Sequence, residues 1–317
     1  IGGSQSGPNE ISRKQSTTGH RYHDTRYITG HVIQPMNWLI ILFEPFTFDF
    51  MQQALIVALL ISVSAGVLSC LLVLKGWSLM GDAVSHSVLP GIVLAYVVGL
   101  PVLFGAFVMG MVCAISTGYL TQNSRLKEDT VMGVVFSGLF ALGVALFTSL
   151  ETGIHLHQVL FGDMLGVSWG DIGVTAMLTV PAFLLIVIKR RDLLVFAFDP
   201  QHARVVGLNT TVLHYGLLAV LSLVIVASIK AVGIILVIAV LIAPGAISYQ
   251  LSNRFEHMMW WSIVIAVVAT VLGITLSYHI DSAPAPTIVV LLSVIFIVVF
   301  LFAPQRGLLR KTTAPTQ

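Results

Sequence analysis

From residue 50 onward the chain is a succession of long apolar runs separated by short polar breaks, with approximate limits 50–74, 81–99, 101–121, 130–150, 170–189, 212–229, 232–250, 258–278 and 286–303. Each run is close to the ~20 residues that cross ~30 Å of hydrocarbon as a helix. An open strand edge in lipid would leave its backbone groups unpaired, so runs of this kind must be helical. The pattern predicts an all-α polytopic membrane protein of about eight to nine transmembrane helices, the lower number applying if one run is re-entrant. Pro90-Gly91, Pro181, Pro244-Gly245, Pro284 and Pro286 fall within or beside these runs and predict broken or kinked helices. Membrane transporters tolerate such breaks where they line a cavity. No fixed-period repeat and no second domain is visible.

The ends differ from this body. Residues 1–35 are polar, show no apolar period and contain no uninterrupted apolar stretch of the secretory-signal kind. They read as a disordered or non-native tail, with Met36-Asn37-Trp38 as the natural beginning. Residues 36–49 are aromatic and apolar with a proline break, which suits an interfacial segment better than a crossing. Residues 50–305 form the membrane domain, and 306–317 form a terminal tail on the cytoplasmic side.

Composition agrees with lipid as the solvent. The chain is 56% hydrophobic and 9% charged, against about 25% charged in soluble domains. The net charge of +2 and the scatter of its basic residues argue against nucleic acid as a partner. Cys70 and Cys113 lie inside apolar runs and read as packing residues. With residues 1–35 left out of the count, alternate crossings place Lys75, Arg125, Lys127, Lys189, Arg190, Arg191, Arg204, Arg254 and the C-terminal basic residues on one side, and Lys230 alone on the other. By the positive-inside rule the crowded side is cytoplasmic.

Candidate chemistry then narrows to the rare polar residues within the runs. The chain has no G-x-x-x-x-G-K-[ST] loop, so it carries no ATPase motif of its own, and it has no H-E-x-x-H pair. In Lys75-Gly76-Trp77-Ser78-Leu79-Met80-Gly81-Asp82-Ala83-Val84-Ser85-His86-Ser87, Asp82 and His86 are a helical turn apart and share one face. Ionisable residues inside a span are costly and face a cavity or a partner. One hard oxygen and one borderline nitrogen suit Mn²⁺, Fe²⁺ or Zn²⁺ better than Ca²⁺ or Cu⁺. A structural reading stands beside this one: Asp82 as a helix cap and His86 as a packed core histidine. Two ligands from one chain make a poor site, whereas a two-fold dimer would bring together two carboxylates and two imidazoles.

The run GDAVSHSVLPGIVLAYVVG resembles the second transmembrane segment of the ABC-type manganese/zinc/iron permease family, which reads G-D-A-[aliphatic]-S-H-[small]-x-[aliphatic]-P-G. The resemblance extends over about residues 46–305, and KGWSLMGDAVSH, DTVMGVVFSG and LFGDMLGVSWGD bring it nearest to the enterobacterial manganese/iron(II) branch. It implies that residues 50–305 are an ABC importer permease domain in the bacterial inner (plasma) membrane, and that Asp82 and His86 coordinate the metal. It further implies a cytoplasmic ABC ATPase, a periplasmic metal-binding protein, and a second permease copy or a paralogous permease as partners. Mn²⁺, Fe²⁺ or Zn²⁺ would then be the transported substrate, with no permanently bound cofactor.

Other segments fit this frame to different degrees. Asp199 and Pro200 can open a short helix that Gly207 ends. By resemblance to the family's D-P-x-x-A-x-x-x-G element, Asp199, Pro200, Ala203 and Gly207 form a coupling helix seated in the ATPase. His155 and His157, near Glu151 in the outer loop, are a candidate outer metal relay from the binding protein, although alternate loop residues need not converge and the family's metal site lies elsewhere. In Ser277-Tyr278-His279-Ile280-Asp281, Asp281 reads mainly as a cap and secondarily as part of an outer gate. Asp163 and Asp171 read as turn and helix-start residues. The rival functions are a proton-coupled secondary metal transporter that uses Asp82 and His86 as a proton relay, and a membrane enzyme with the same pair as acid and base. The first would be expected to show inverted repeats, and the second predicts turnover of a soluble substrate without any ATPase.

Overall fold

A computed structural model describes residues 44–150 and 162–303. Among them the chain is helical, with α1 Asp49–Lys75, α2 Ser78–Ser87, α3 Leu89–Val98, α4 Val102–Asn123, α5 Glu128–Ser149 and α6 Trp169–Ile188. These are followed by α7 Arg190–Phe198, α8 Pro200–Val205, α9 Thr210–Leu251, α10 Phe255–Ile280 and α11 Pro284–Phe302. Short 3-10 turns lie at Glu44–Thr47 and Met164–Gly166. Eight helical segments among the described residues are long and apolar enough to cross a membrane, α2 and α3 together counting as one. His155, His157 and Glu151, and the two terminal tails, lie outside the described residues.

The bundle is organised around α1 and α9, which pack against each other and against α6 and α10. Helix α1 ends because Gly76 adopts a left-handed conformation (φ 76°), letting Trp77 N–H reach back to the Leu72 carbonyl at 2.8 Å. That stop reverses the chain and leaves Trp77, only 3% exposed, as the residue on which α2 begins. The expected break near Pro90 is present, but it falls at Val88, between α2 and α3. Pro90 then sits in the first turn of α3, where its missing N–H costs nothing. Beyond it, Gly91 and Gly105 face each other so closely that a Cβ on Gly91 would lie 2.2 Å from the Gly105 carbonyl oxygen. Small residues of this kind let α3 and α4 approach without the hydrophobic effect, which lipid does not supply.

Helix α9 is the unusual element. Its 42 residues would span about 63 Å if straight, twice the hydrocarbon thickness. It is interrupted at Gly233, whose φ 74° and ψ 169° are not helical and belong to a region that only glycine enters readily. Its first residue, Thr210, accepts from Arg204 Nε at 3.0 Å, and its far end, Ser248, lies against Cys70, five residues before the cytoplasmic end of α1. Its middle pairs through Lys230 with Asp171 at the opposite boundary. Both ends therefore lie on the cytoplasmic side and the middle on the outer side, so α9 doubles back at Gly233. The described helices thus make nine passes, with the last leading to the cytoplasmic side.

Three expectations need correction. The boundary between the sixth and seventh passes is Gly233, not residues 230–231, because the left-handed break and not the charge of Lys230 reverses the chain. Pro181 and Pro244 remain inside α6 and α9 without a break, and Pro284 opens α11 rather than kinking it. Asp82 does not cap α2, since Trp77 occupies the N-cap position and Asp82 sits in the second turn.

Candidate metal-ligand face and cytoplasmic helix

Helix α2 buries Met80, Gly81, Ala83, Val84, Ser85 and Ser87 against the bundle. Ser85 and Ser87 turn their hydroxyls back onto the carbonyls of Gly81 and Val84, so neither makes a polar demand on the outward face. Leu79, Asp82 and His86 occupy that remaining face. His86 Nε2 stands 3.3 Å from Asp82 Oδ1, with the His86 side chain 27% and the Asp82 side chain 34% exposed. The imidazole lies edge-on to Phe140, with centroids 5.2 Å apart, and tilted against Phe136 at 6.2 Å. Its Nδ1 is buried without a hydrogen-bond partner among the described residues. The pair is thus held by one helix, walled by two rings of α5, and uncovered on the side away from the bundle.

That openness matters because of where it lies. The outward residues of α5 around the pair, Val134, Ser137, Gly138, Ala141, Leu142 and Ala145, are exposed as well. A carboxylate and an imidazole on such a face cannot be left against acyl chains without large cost. Among the described residues no group of three or more His, Cys, Asp or Glu side chains is placed to hold a metal ion. The face offers half of a coordination shell and a surface of small residues on which a neighbouring helix can close.

On the cytoplasmic side the Asp199–Gly207 element has the geometry its residues predict. The Asp199 carboxylate accepts from Gln201 N–H at 2.8 Å and His202 N–H at 3.0 Å, Pro200 fills the first helical position, and Ala203 is fully buried. Gly207 closes the helix at φ 88°, and Leu208 N–H returns to the Ala203 carbonyl at 2.9 Å. Bonding from the His202 N–H, and secondarily from Gln201, holds the Asp199 carboxyl below its ordinary range. Phe198, Val205 and Val206 around this helix are 67%, 84% and 61% exposed, an apolar rim outside the membrane.

The remaining candidates hold structure together. Asp163 accepts from Gly166 N–H, and Asp171 forms a reciprocal capping box with Ser168, as read. The sequence reading did not find the cross-helix pair between Asp171 and Lys230, which are 59 residues apart. Asp281 takes a left-handed conformation (φ 55°) at the end of α10, so its backbone, not its carboxylate, ends the helix. Cys70 and Cys113 are buried free thiols, Cys70 lying against the Met258 carbonyl. Phe136 and Phe140 also went unremarked in the sequence; their signal was an i, i+4 aromatic pair in a helix rich in small residues.

A helical bundle of nine passes with an uncovered polar pair in one span and a capped, apolar-rimmed helix on its cytoplasmic side is a membrane transport protein. The chain belongs to the ABC 3 transport family, whose model matches residues 47–303. It is 50% identical over 281 residues to the chelated iron transport system membrane protein YfeD of Yersinia pestis, covering 88% of this chain and 95% of that protein. It is 45% identical over 283 residues to the manganese transport system membrane protein MntB of Synechocystis, covering 88% of this chain and 92% of that protein. The solved structure of PsaBC from Streptococcus pneumoniae in complex with Fab matches with a TM-score of 0.78 at 35% identity, over 87% of this chain and all of that one. A putative metal-chelate type ABC transporter in an inward-facing conformation shares the fold, with a TM-score of 0.58 at 17% identity. The chain is therefore a multi-pass permease of the bacterial inner membrane, and membership in this family disfavours a stand-alone proton-coupled carrier.

Proposed function

We propose that this permease imports a divalent first-row transition metal, and that Asp82 and His86 bind the ion transiently between two permease subunits. The observation that carries the reading is the Asp82–His86 pair, 3.3 Å apart on an uncovered membrane-embedded face. A second permease closing on α2 and α5 would turn two half-shells into one site of two oxygens and two nitrogens, a donor set suited to Mn²⁺, Fe²⁺ or Zn²⁺. The names of the relatives point to iron and manganese. Four protein ligands with room for water bind firmly enough to select and loosely enough to release.

In this reading an ABC ATPase docks on Asp199, Pro200, Ala203 and Gly207 and their apolar rim, and a binding protein delivers metal from outside. The ATPase drives one permease against the other about the metal axis. His155 and His157 serve as a receiving relay at the outer mouth. Replacing both without effect on uptake at limiting metal would remove them from the scheme. The wider proposal is tested by uptake of radiolabelled Mn²⁺ and Fe²⁺ into vesicles holding the complete complex. Asp82→Ala and His86→Ala each reduce ATP-dependent uptake to the level without ATP, while the subunits still co-purify. Undiminished uptake in both variants would refute the assignment.

A further inference from the structure

A second feature sits on a different part of the molecule. Where α6 passes into α7 and α9 into α10, Arg190, Arg191, Arg254, Phe255, Glu256 and His257 line an open cavity of about 380 Å³. Arg190 Nη2 approaches Glu256 Oε1 at 3.6 Å and so ties its two walls together. Neighbouring Lys189 and Asp192 pair with each other at 3.2 Å and cancel. Neither Arg191 nor Arg254 has an ion-pair partner among the described residues, so the cavity keeps an excess of positive charge on the cytoplasmic side.

The cavity continues into an apolar track. Trp260, Val264, Val268, Leu272 and Leu276 follow one another at intervals of four along α10, and each is more than 40% exposed. The track runs for about 24 Å, close to the depth of the hydrocarbon. Trp261, 50% exposed, stands beside its cytoplasmic end, at the level where indole rings settle in membranes. Helix α10 packs on α1, α9 and α11, whereas α2 packs on α5, α9 and α4, so this track is separate from the face that carries Asp82 and His86.

We propose that this cavity binds the phosphate headgroup of an anionic phospholipid of the inner leaflet, with an acyl chain lying along the Trp260–Leu276 track. The guanidinium groups of Arg191 and Arg254 take the phosphate oxygens, since their planar donors match that geometry. The indoles of Trp260 and Trp261 mark the glycerol level. Charge selects the lipid: each basic residue close to an anionic headgroup is worth about fivefold in partitioning.

The test uses the full-length chain in vesicles, with tryptophan fluorescence quenched by phosphatidylglycerol or phosphatidylcholine brominated in the acyl chain. Signals from the other tryptophans are subtracted with a Trp260→Phe, Trp261→Phe variant. At equal mole fraction, brominated phosphatidylglycerol quenches Trp260 and Trp261 with an apparent association constant at least about fivefold above that of phosphatidylcholine. The preference disappears in Arg191→Gln, Arg254→Gln, survives in the control Arg125→Gln, and is not displaced by millimolar inorganic phosphate. Equal quenching by the two lipids, or a preference unaltered in the double variant, overturns the proposal. So does loss of ATPase association in the double variant with lipid preference intact, which would give the cavity to the ATPase. Displacement by free phosphate would make it an ion site and equally overturn the lipid assignment. Melting temperature in phosphatidylcholine alone, unchanged in the double variant, excludes misfolding as the cause.

Discussion

Two acid–base pairs stand near or within the membrane, and they are built differently. Asp82 and His86 belong to one helix, a turn apart, and need no other element to hold them together. Asp171 and Lys230 come from α6 and α9 and meet only because the whole bundle is folded. The second pair fastens the outer end of the first arm of α9 just before the chain reverses at Gly233, and Asp171 also closes the capping box of α6. The Asp171 carboxylate already carries both Lys230 and the Ser168 cap. The first pair makes no ion pair to another helix among the described residues, only ring packing of His86 on α5, and both side chains stay partly exposed. On the function proposed above, what separates a binding site from a structural ion pair in a membrane is not the charges but whether the fold already depends on them.

Substitutions that separate binding from folding sharpen this contrast, and the largest effect falls on the first pair. Asp82→Ala lowers metal affinity of the complex by about two orders of magnitude or more, since a lost ligand costs at least as much as a lost supporting contact. The same change shifts thermal unfolding by no more than about 0.5 kcal/mol, because nothing in the subunit rests on it. A large drop in melting temperature would erase the distinction. Gly233→Ala comes next: forcing a side chain into that backbone region destabilises the fold by about 1–3 kcal/mol. Thermal melts of the variant in detergent read this directly, and an unchanged melt would mean that the reversal is not held at Gly233.

Lys230→Gln follows, with a loss of about 1 kcal/mol or less, because the lysine is 65% exposed and solvent screens the pair. Metal affinity stays at the wild-type value, and a titration showing otherwise would make the outer pair part of the ion path. Last comes Asp199→Ala, which removes the cap of α8 and so weakens ATPase association in a pull-down. Because the folded carboxyl titrates below its ordinary 3.8, the cap is complete above that value and is lost only as pH falls through the lower folded value. Between pH 5 and 8 the association should show no pH dependence from this group, and Asp199→Asn, which still caps, should behave as wild type.

How much of this could be read beforehand depends on range along the chain. The passes are local statements about apolar runs, and their limits in the sequence agree with the helices to within a few residues. Asp82 and His86 were legible for the same reason, their spacing being a property of one helix. The Asx-Pro opening and glycine stop of α8 are equally local. The reversal of α9 was placed two or three residues early, because an apolar run with one lysine does not reveal which residue turns left-handed. Pro181 and Pro244 stay inside continuous helices, and beside Pro244 the Ser69 hydroxyl from α1 accepts from the Gly245 N–H and donates to the Ile242 carbonyl, a support that no single-helix rule reveals. The Asp171–Lys230 pair and the Arg191–Arg254 cavity join residues dozens of positions apart. Only the folded bundle brings them together.

The central claim is that two permeases share one ion through Asp82 and His86. Equilibrium titration of the purified permease–ATPase complex, without the binding protein, with Mn²⁺, followed by the loss of free-ion electron paramagnetic resonance signal, tests it most directly. The account predicts saturation at one ion for every two permease chains, and loss of that binding in Asp82→Ala. One ion for each chain, or unaltered saturation in the variant, would contradict it.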